Sequence, residues 1–296
     1  MPSVAVIVNP TAGAGKGLRL VPRLVSALQA HRCSHHLHLT TGPGEATDVA
    51  RRFACDGATL VLAVGGDGTV NEVANGLLEA GGTTALAAIP AGRGVDFTRS
   101  LNVPRNLSAA IDQAVAGRYR RVDVGRATFA NGTSRIFVNA GGLGFDTTVA
   151  EGAMRSRLPG SSLPYISAVL RAIARYRTFE IDLEADGNRI IGHVASAIVA
   201  NGRYLGGGMK LVPTADLADG LIDLAILGDL SRRELIVSAP RVYRGAHVNH
   251  PKFTHQPIRS VHITTSAPVR IQLDGELHGT SPVTFSVEPN ALLVVG

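Results

Sequence analysis

Residues 59–76 read TLVLAVGGDGTVNEVANG and constrain the fold more than any other stretch of this chain. Residues 60–64 are an unbroken apolar run of strand length. Gly65, Gly66, Asp67, Gly68 and Thr69 follow as a turn. A helical pattern then starts near Val70, with Val73, Leu77 and Leu78 on one face. A strand that passes through glycines into a helix start presents unpaired backbone N–H groups and the positive end of the helix dipole, which together attract anions. Glycines also let a ligand reach the backbone without meeting a Cβ. Asp67 is the odd member, because a carboxylate repels a phosphate unless a cation lies between them. The stretch predicts a nucleotide-phosphate site with a divalent cation nearby, against the plainer reading of an ordinary strand-to-helix turn.

Two more glycine turns precede and follow it. Residues 4–8 predict a first strand, ending in Asn9-Pro10-Thr11-Ala12-Gly13-Ala14-Gly15-Lys16-Gly17. This is not a P-loop, since Pro10 stands where its first glycine belongs and Gly17 where its Ser or Thr belongs. It does offer more backbone donors, and Lys16 as a point charge, to the same nucleotide. Helices are expected at residues 18–29, 46–53 and 106–116, and strands at residues 35–39 and 85–89. The last of these strands runs into Pro90-Ala91-Gly92-Arg93-Gly94-Val95-Asp96-Phe97. Strand and helix in alternation mean a parallel α/β domain that binds ligands at the carboxyl ends of its strands. Asp67, Asp96 and Asp123 each fall at a strand end or domain edge. Parallel strands are expected to bring these acids together around a metal, waters or a shared proton.

Beyond residue 124 the pattern changes to short β-type runs at residues 128–129, 135–139, 179–185, 189–200, 221–227, 260–264, 269–273 and 292–295. Asp186-Gly187, Asp219-Gly220 and Asp274-Gly275 between them favour hairpins. An antiparallel β-sandwich domain is expected. One helix, over residues 163–176, interrupts it. Its stripe of Leu163, Ile166, Leu170 and Ile173 is expected to pack on its own domain. A membrane-surface role is the second reading, because Arg171 and Arg175 lie off the stripe and Arg155, Arg157 and Arg177 flank it.

The balance of 45% hydrophobic and 18% charged residues over 296 residues suits a two-domain globular chain. The net charge of +6 points to anionic partners: nucleotide phosphates, anionic lipid headgroups or nucleic acid. Nucleic acid is disfavoured, because Trp is absent and aromatics are 4%. Cys33 and Cys55 lack any paired spacing and suit a reducing cytosol. The N-terminus lacks a basic region ahead of an apolar one, so no signal peptide is expected. No apolar run reaches spanning length. The histidines at residues 31–38, and His247, His250 and His255, read as ordinary side chains rather than metal ligands.

The stretch from Gly65 to Gly76 resembles the signature of the diacylglycerol-kinase catalytic-domain family, which includes bacterial soluble lipid kinases and sphingosine and ceramide kinases. Asn9-Pro10-Thr11-Ala12-Gly13 is similar to its N-terminal motif. Asn201-Gly202-Arg203-Tyr204-Leu205-Gly206-Gly207-Gly208-Met209, Pro213-Thr214-Ala215, Asp219-Gly220-Leu221-Ile222-Asp223 and Leu273-Asp274-Gly275-Glu276 resemble its later motifs. NAD kinases and phosphofructokinases share the GGDG core but not these companions.

The resemblance implies a nucleotide-binding α/β domain over residues 1–123, with a parallel sheet like that of phosphofructokinase and NAD kinase. Residues 285–296 are expected to return to it. It implies a β-sandwich lipid-substrate domain over residues 124–284, with the lipid entering a cleft beside the sandwich. ATP contacts are implied for Asn9, Pro10, Thr11, Ala12, Gly13, Thr40, Gly65, Gly66, Asp67, Gly68, Thr69, Val70 and Asn71, with Lys16, Arg93 and Asp96 adjoining. Glu276 matches the general base and joins Asp67 as the expected catalytic pair. Asp216, Asp219 and Leu221 match a second, structural cation site that suits Mg²⁺ or Ca²⁺. The expected protein is an ATP- and Mg²⁺-dependent kinase for a hydroxyl of a membrane lipid such as diacylglycerol. It is cytoplasmic, touches the bilayer transiently, and binds no nucleic acid; an oligomer is compatible with the sequence. One motif departs. The usual Gly-Thr-x-Asn-Asp-Phe reads Gly92-Arg93-Gly94-Val95-Asp96-Phe97 here, which supports a second expectation, a catalytically weak lipid- or nucleotide-binding protein. A NAD kinase-like enzyme is a distant third.

Overall fold

The computed structural model describes residues 3–92, 94–156 and 163–296. The chain forms two compact units, Met1–Val122 with Asn290–Gly296, and Asp123–Pro289.

The first unit runs β1 (Val4–Val8), α1 (Ala12–Ala30), β2 (His35–Leu39), α2 (Glu45–Cys55), β3 (Leu60–Gly65), α3 (Asp67–Glu79), β4 (Ala85–Pro90), α4 (Asp96–Ser100) and α5 (Leu107–Val115). Its strands lie in the order β4-β3-β1-β2 and every pairing is parallel. Val8 stands opposite Val64, and Val64 opposite Ile89, so β1, β3 and β4 finish level. Residues of β1 and β3 are buried throughout, which is why both read as unbroken apolar runs. Leu24 and Leu28 of α1 and Ile111 of α5 share a core with Val6, Leu62 and Ile89-level residues of the sheet. Val294 pairs in parallel with Leu86, adding the returning chain at the β4 edge.

Two helix starts differ from expectation. Gly66 is extended (φ −99°, ψ −171°) and caps α3, so Asp67, Gly68 and Thr69 form its first turn instead of preceding it. Helix α1 is assigned from Ala12, yet Gly13, Ala14 and Gly15 are left-handed and break its opening turn.

β5 (Tyr119–Phe129) carries the chain into the second unit, which continues with β6 (Ser134–Phe137), β7 (Ala140–Gly144), α6 (Phe145–Met154), α7 (Leu163–Ala174), β8 (Phe179–Ala185), β9 (Asn188–Ala200), β10 (Tyr204–Leu205), β11 (Met209–Lys210), β12 (Ile222–Gly228), α8 (Arg232–Val242), β13 (Phe253–Ile258), β14 (Ser260–Thr265), β15 (Arg270–Leu273), β16 (Glu276–Thr280) and β17 (Val283–Val295). The order β16-β15-β7-β9-β8-β14-β17 is antiparallel throughout, and β12 joins β9 to β13. Its core holds Phe137 and Phe285 edge to face, ring centres 5.9 Å apart, with Leu183, Val199 and Leu273.

Two expectations fail here. Asp123 belongs to a different unit from Asp67 and Asp96. It lies in the second unit, fully buried, and its carboxylate accepts the Gly220 N–H at 2.7 Å. The α7 stripe does not pack inward either: Leu163, Ile166 and Leu170 are 52%, 43% and 60% exposed, and only Ile173 is buried. Ala168 and Ala172 form the inner face instead, against Val149 and Ala153 of α6. Alanines let the two helix backbones come close, which the larger side chains forbid.

Candidate active site

The three glycine turns leave β1, β3 and β4 at one level and pack on one another. A Cβ on Gly92 would lie 2.3 Å from Gly66 Cα, and one on Gly13 2.2 Å from the Ala91 carbonyl oxygen. No side chain fits at either point, so the turns can only nest if these positions are glycine. Asn9 ties the nest together. Its Oδ1 accepts from Thr11 N–H (3.1 Å) and Thr11 Oγ1 (2.9 Å), and its Nδ2 donates to Thr69 Oγ1 at 3.2 Å. Lys16 Nζ donates to the Pro90 carbonyl at 3.2 Å. Thr40, just after β2, donates its N–H to the Val8 carbonyl at 2.9 Å. Arg93 lies outside the described residues.

Asp67 and Asp96 meet in this nest. Burial first, and then the Asp96 carboxylate, push Asp67 up to about 7; the N–H groups of Phe97, Asp96 and Val95 pull it back. The Phe97 N–H is 3.2 Å from Asp67 Oδ1. Val95 makes this possible. At φ +50°, ψ +40° it is left-handed, and it turns the start of α4 onto the Asp67 carboxylate. The half-buried Asp67 and the buried Asp96, which has Arg99 Nε 3.7 Å from its Oδ1, form a hard oxygen donor set, and a divalent cation would relieve the repulsion between the two acids. The residues present therefore fit Mg²⁺.

The rest of the signature is internal. Val70 is buried and its N–H is spent on the Gly66 carbonyl at 3.1 Å. Asn75 Nδ2 donates to Asn71 Oδ1 at 3.0 Å. Glu72 accepts from Gly44 N–H (2.9 Å) and Ala46 N–H (3.1 Å), so this acid caps α2.

The second unit holds the other expected residues. Asp274 (φ +49°) and Gly275 (φ +89°) join Leu273 to its partner Glu276 in a tight hairpin. Both Asp274 oxygens are occupied by backbone: Val138 N–H at 2.8 Å, Asn139 and Ala140 N–H at 2.9 Å. Glu276 is half-buried, 3.8 Å from His278 Nε2. Burial, and then the charge of Arg135, hold His278 down at about 4, so it is neutral beside Glu276. Asp216 and Asp219 are exposed, and the Oδ1 of each accepts a backbone N–H, from Ala218 and Leu221. Among the described residues no group of three His, Cys, Asp or Glu side chains could hold a metal. A cation at this loop would depend on backbone carbonyls of Asp216 and Leu221 beside Asp219.

Sequence reasoning missed Asp146, whose carboxylate is buried against Ser196 and Gln272. One signal existed: it is the only ionisable residue between Arg135 and Glu151. An acid alone in an apolar, glycine-rich run is a candidate for burial.

A parallel sheet ending in nested glycine turns around paired acids, with a separate antiparallel β unit, defines a class of two-unit α/β proteins. The comparisons with known proteins narrow it. Residues 3–127 match the diacylglycerol kinase catalytic domain, and residues 139–296 the YegS C-terminal NAD kinase beta sandwich-like domain. A diacylglycerol kinase of Bacillus subtilis is 30% identical over 96% of this chain and 93% of its own length. One of Mycobacterium tuberculosis is 30% identical over 99% and 94%. A solved Bacillus anthracis chain superposes with a TM-score of 0.83 at 27% identity, covering 99% of this chain and 94% of that one. A second, described as a diacylglycerol kinase, gives 0.77 at 25% identity, with 99% and 96% covered. This chain belongs to the diacylglycerol kinase family.

Proposed function

We propose that the protein is an ATP- and Mg²⁺-dependent lipid kinase that phosphorylates a hydroxyl of diacylglycerol or a related membrane lipid. The observation that carries this reading is the half-buried Asp67 beside the buried Asp96 inside a nest of glycine turns at the ends of parallel strands. Backbone N–H groups of the turns bind the phosphates, with Asn9 holding the turns in register. Asp67 and Asp96 hold Mg²⁺, which when bound neutralises charge on the transferring phosphoryl group. Glu276 takes the proton as the lipid oxygen bonds to the γ-phosphorus and the bond to ADP breaks. Neutral His278 beside it adds no positive charge that would hold Glu276 inert.

The bilayer is the proposed partner. Leu163, Ile166 and Leu170 stand exposed on α7 with Arg171 and Arg175 alongside, a composition that suits an anionic membrane surface. No helix among the described residues is long and apolar enough to cross a membrane. The contact is proposed to be transient, peripheral and on the cytoplasmic face.

The weaker reading, a catalytically impaired binding protein, rested on Arg93 and Val95, of which Arg93 lies outside the described residues. The left-handed backbone at that position keeps Asp67 bonded to the start of α4 even with valine there, which favours an active kinase. The test is transfer of labelled γ-phosphate from ATP to a panel of lipids. Transfer is expected to vanish in Asp67→Ala and Glu276→Ala. Absence of transfer to every lipid, or full rates in both variants, overturns the reading.

A further inference from the structure

Both residues of the turn before Glu276 are pinned, and by different partners. Asp274 is fixed by the backbone of residues 138–140. Gly275 is fixed by a side chain: its N–H donates to Gln272 Oε1 at 2.8 Å. Gln272 is 1% exposed, and its Nε2 donates in turn to Asp146 Oδ2 at 3.1 Å. The other Asp146 oxygen accepts from Ser196 Oγ, which also lies 3.1 Å from the Leu143 carbonyl. Asp146 stands in the first turn of α6, and a Cβ on Gly142 would come within 2.6 Å of its Oδ2. The space there is shaped for this carboxylate.

The direction of these bonds matters. A glutamine amide can face either way, but only one orientation gives Gly275 N–H an acceptor. An ionised carboxylate accepts and never donates, so Asp146 draws Nε2 to itself and leaves Oε1 for Gly275. Without it the amide is free to turn, and two donors would then meet at Gly275. The cost of burying the acid is visible: burial raises Asp146 to about 6, against the lowering effect of Ser196 and Gln272. A neutral isostere such as asparagine would remove that cost and still offer Gln272 an acceptor, so fold stability requires an acceptor at this position but not an acid.

We propose that Asp146 and Gln272 are positioning residues which, through Asp146–Gln272–Gly275, hold the turn so that Glu276 is aimed at the acceptor hydroxyl. The inference rests on the reading of Glu276 as general base, and deepens it. A carboxylate displaced by about 1 Å loses on the order of a hundredfold in rate while substrates bind as before.

The experiment measures kcat, KM for ATP and for diacylglycerol in mixed vesicles, melting temperature, and exchange of the Gly275 amide. The variants are Asp146→Leu, Gln272→Met, Asp146→Asn and Glu276→Gln in the full chain. Asp146→Leu and Gln272→Met are expected to lower kcat about ten- to a hundredfold with both KM values little changed, while the melting temperature falls by only a few degrees because buried polar groups lose a partner. Their Gly275 amides exchange faster. Asp146→Asn restores kcat, because its oxygen can face Gln272 while its nitrogen donates to Ser196, whose proton moves to the Leu143 carbonyl. Glu276→Gln is inactive. If Glu276→Gln is inactive but Gln272→Met has the wild-type kcat, the positioning role is wrong and the base stands. If Glu276→Gln keeps the wild-type rate, both fall. A kcat that declines only with melting temperature, or an Asp146→Asn as slow as Asp146→Leu, also overturns the proposal. Should Asp146→Leu fail to fold, Gln272→Met decides alone.

Discussion

Val95 is a β-branched residue at φ +50°, where a side chain crowds its own carbonyl. Such a residue carries about 1–2 kcal/mol of strain, and asparagine tolerates the same backbone far better. Val95→Asn is expected to raise the melting temperature by roughly 2–5 °C without loss of kinase activity. An unchanged or lower melting temperature would count against strain at this position. The neighbouring Asp67 gives a second prediction. Its carboxyl is raised from an ordinary 3.8 to about 7, so the folded state holds a proton that the unfolded chain has released. This group's contribution to stability is full below pH ~4, declines as pH rises between the two values, and is gone once pH passes the folded value. Asp67→Asn escapes this loss. Its melting temperature should exceed that of the wild type at pH 8 and converge with it near pH 4, by an effect on the order of a few kcal/mol, while phosphoryl transfer is abolished. Millimolar Mg²⁺ should raise the wild type at pH 8 and leave Asp67→Asn unmoved. At this scale the chain was partly legible. That position 95 departs from the family motif can be read from the letters. Its meaning cannot, because the motif asparagine looks like a hydrogen-bonding group, and the structure makes it a matter of backbone handedness.

Among elements, α2 and α3 show what the middle of the signature is for. Glu72 holds the start of α2 by two N–H groups, and a Cβ on Gly76 would lie 2.1 Å from the Thr47 carbonyl oxygen. Glu72→Ala removes both bonds and leaves the buried Ala46 N–H unpaired, at a cost of about 1–3 kcal/mol. Urea titration at pH 7 should show this as a lower midpoint at unchanged slope. Conversely, a midpoint within 0.5 kcal/mol of the wild type would mean that water replaces the carboxylate. The long strands β8 and β9 were legible because β-branched and apolar residues recur with turn dipeptides at their ends. α6 and α8 were not. α6 buries alanine and valine instead of large side chains, and α8 carries Pro240 and opens on two arginines. α7 was found but turned the wrong way, since the inward face of a closely packed helix is its small one and residue size alone marks the outward one.

For the molecule as a whole, the fold class was legible: alternation of strand and helix, then hairpin-rich β sequence, is enough to state it. The return of the chain's last segment was expected from the family resemblance over residues 285–296, and the structure places it at residues 290–296. Residues 290–296 leave the second unit and complete the first, where Leu292, Val294 and Val295 are buried. Arg121 Nη1 donates to the Asn290 and Ala291 carbonyls at 3.1 and 3.2 Å, fastening the same segment. Deleting residues 290–296 should remove at least about 5 kcal/mol of apolar burial, comparable with the stability of a whole domain. Hydrogen exchange is the suitable measurement. Peptides from β1, β3 and β4 should exchange rapidly in the truncated chain while those from β8 and β9 stay protected. Equal protection in both units would show that the tail is dispensable.

This return has a consequence for synthesis. The ribosome releases the first unit's helices and strands early, but its last edge partner emerges only after the entire second unit. At ~5–20 residues per second the delay is on the order of ten seconds. During that interval β4 offers an open strand edge, the kind of surface that recruits other chains. The unit encoded second is thus the first able to finish folding, and growth conditions that slow aggregation of nascent chains should raise the yield of this protein more than that of one whose domains close in sequence.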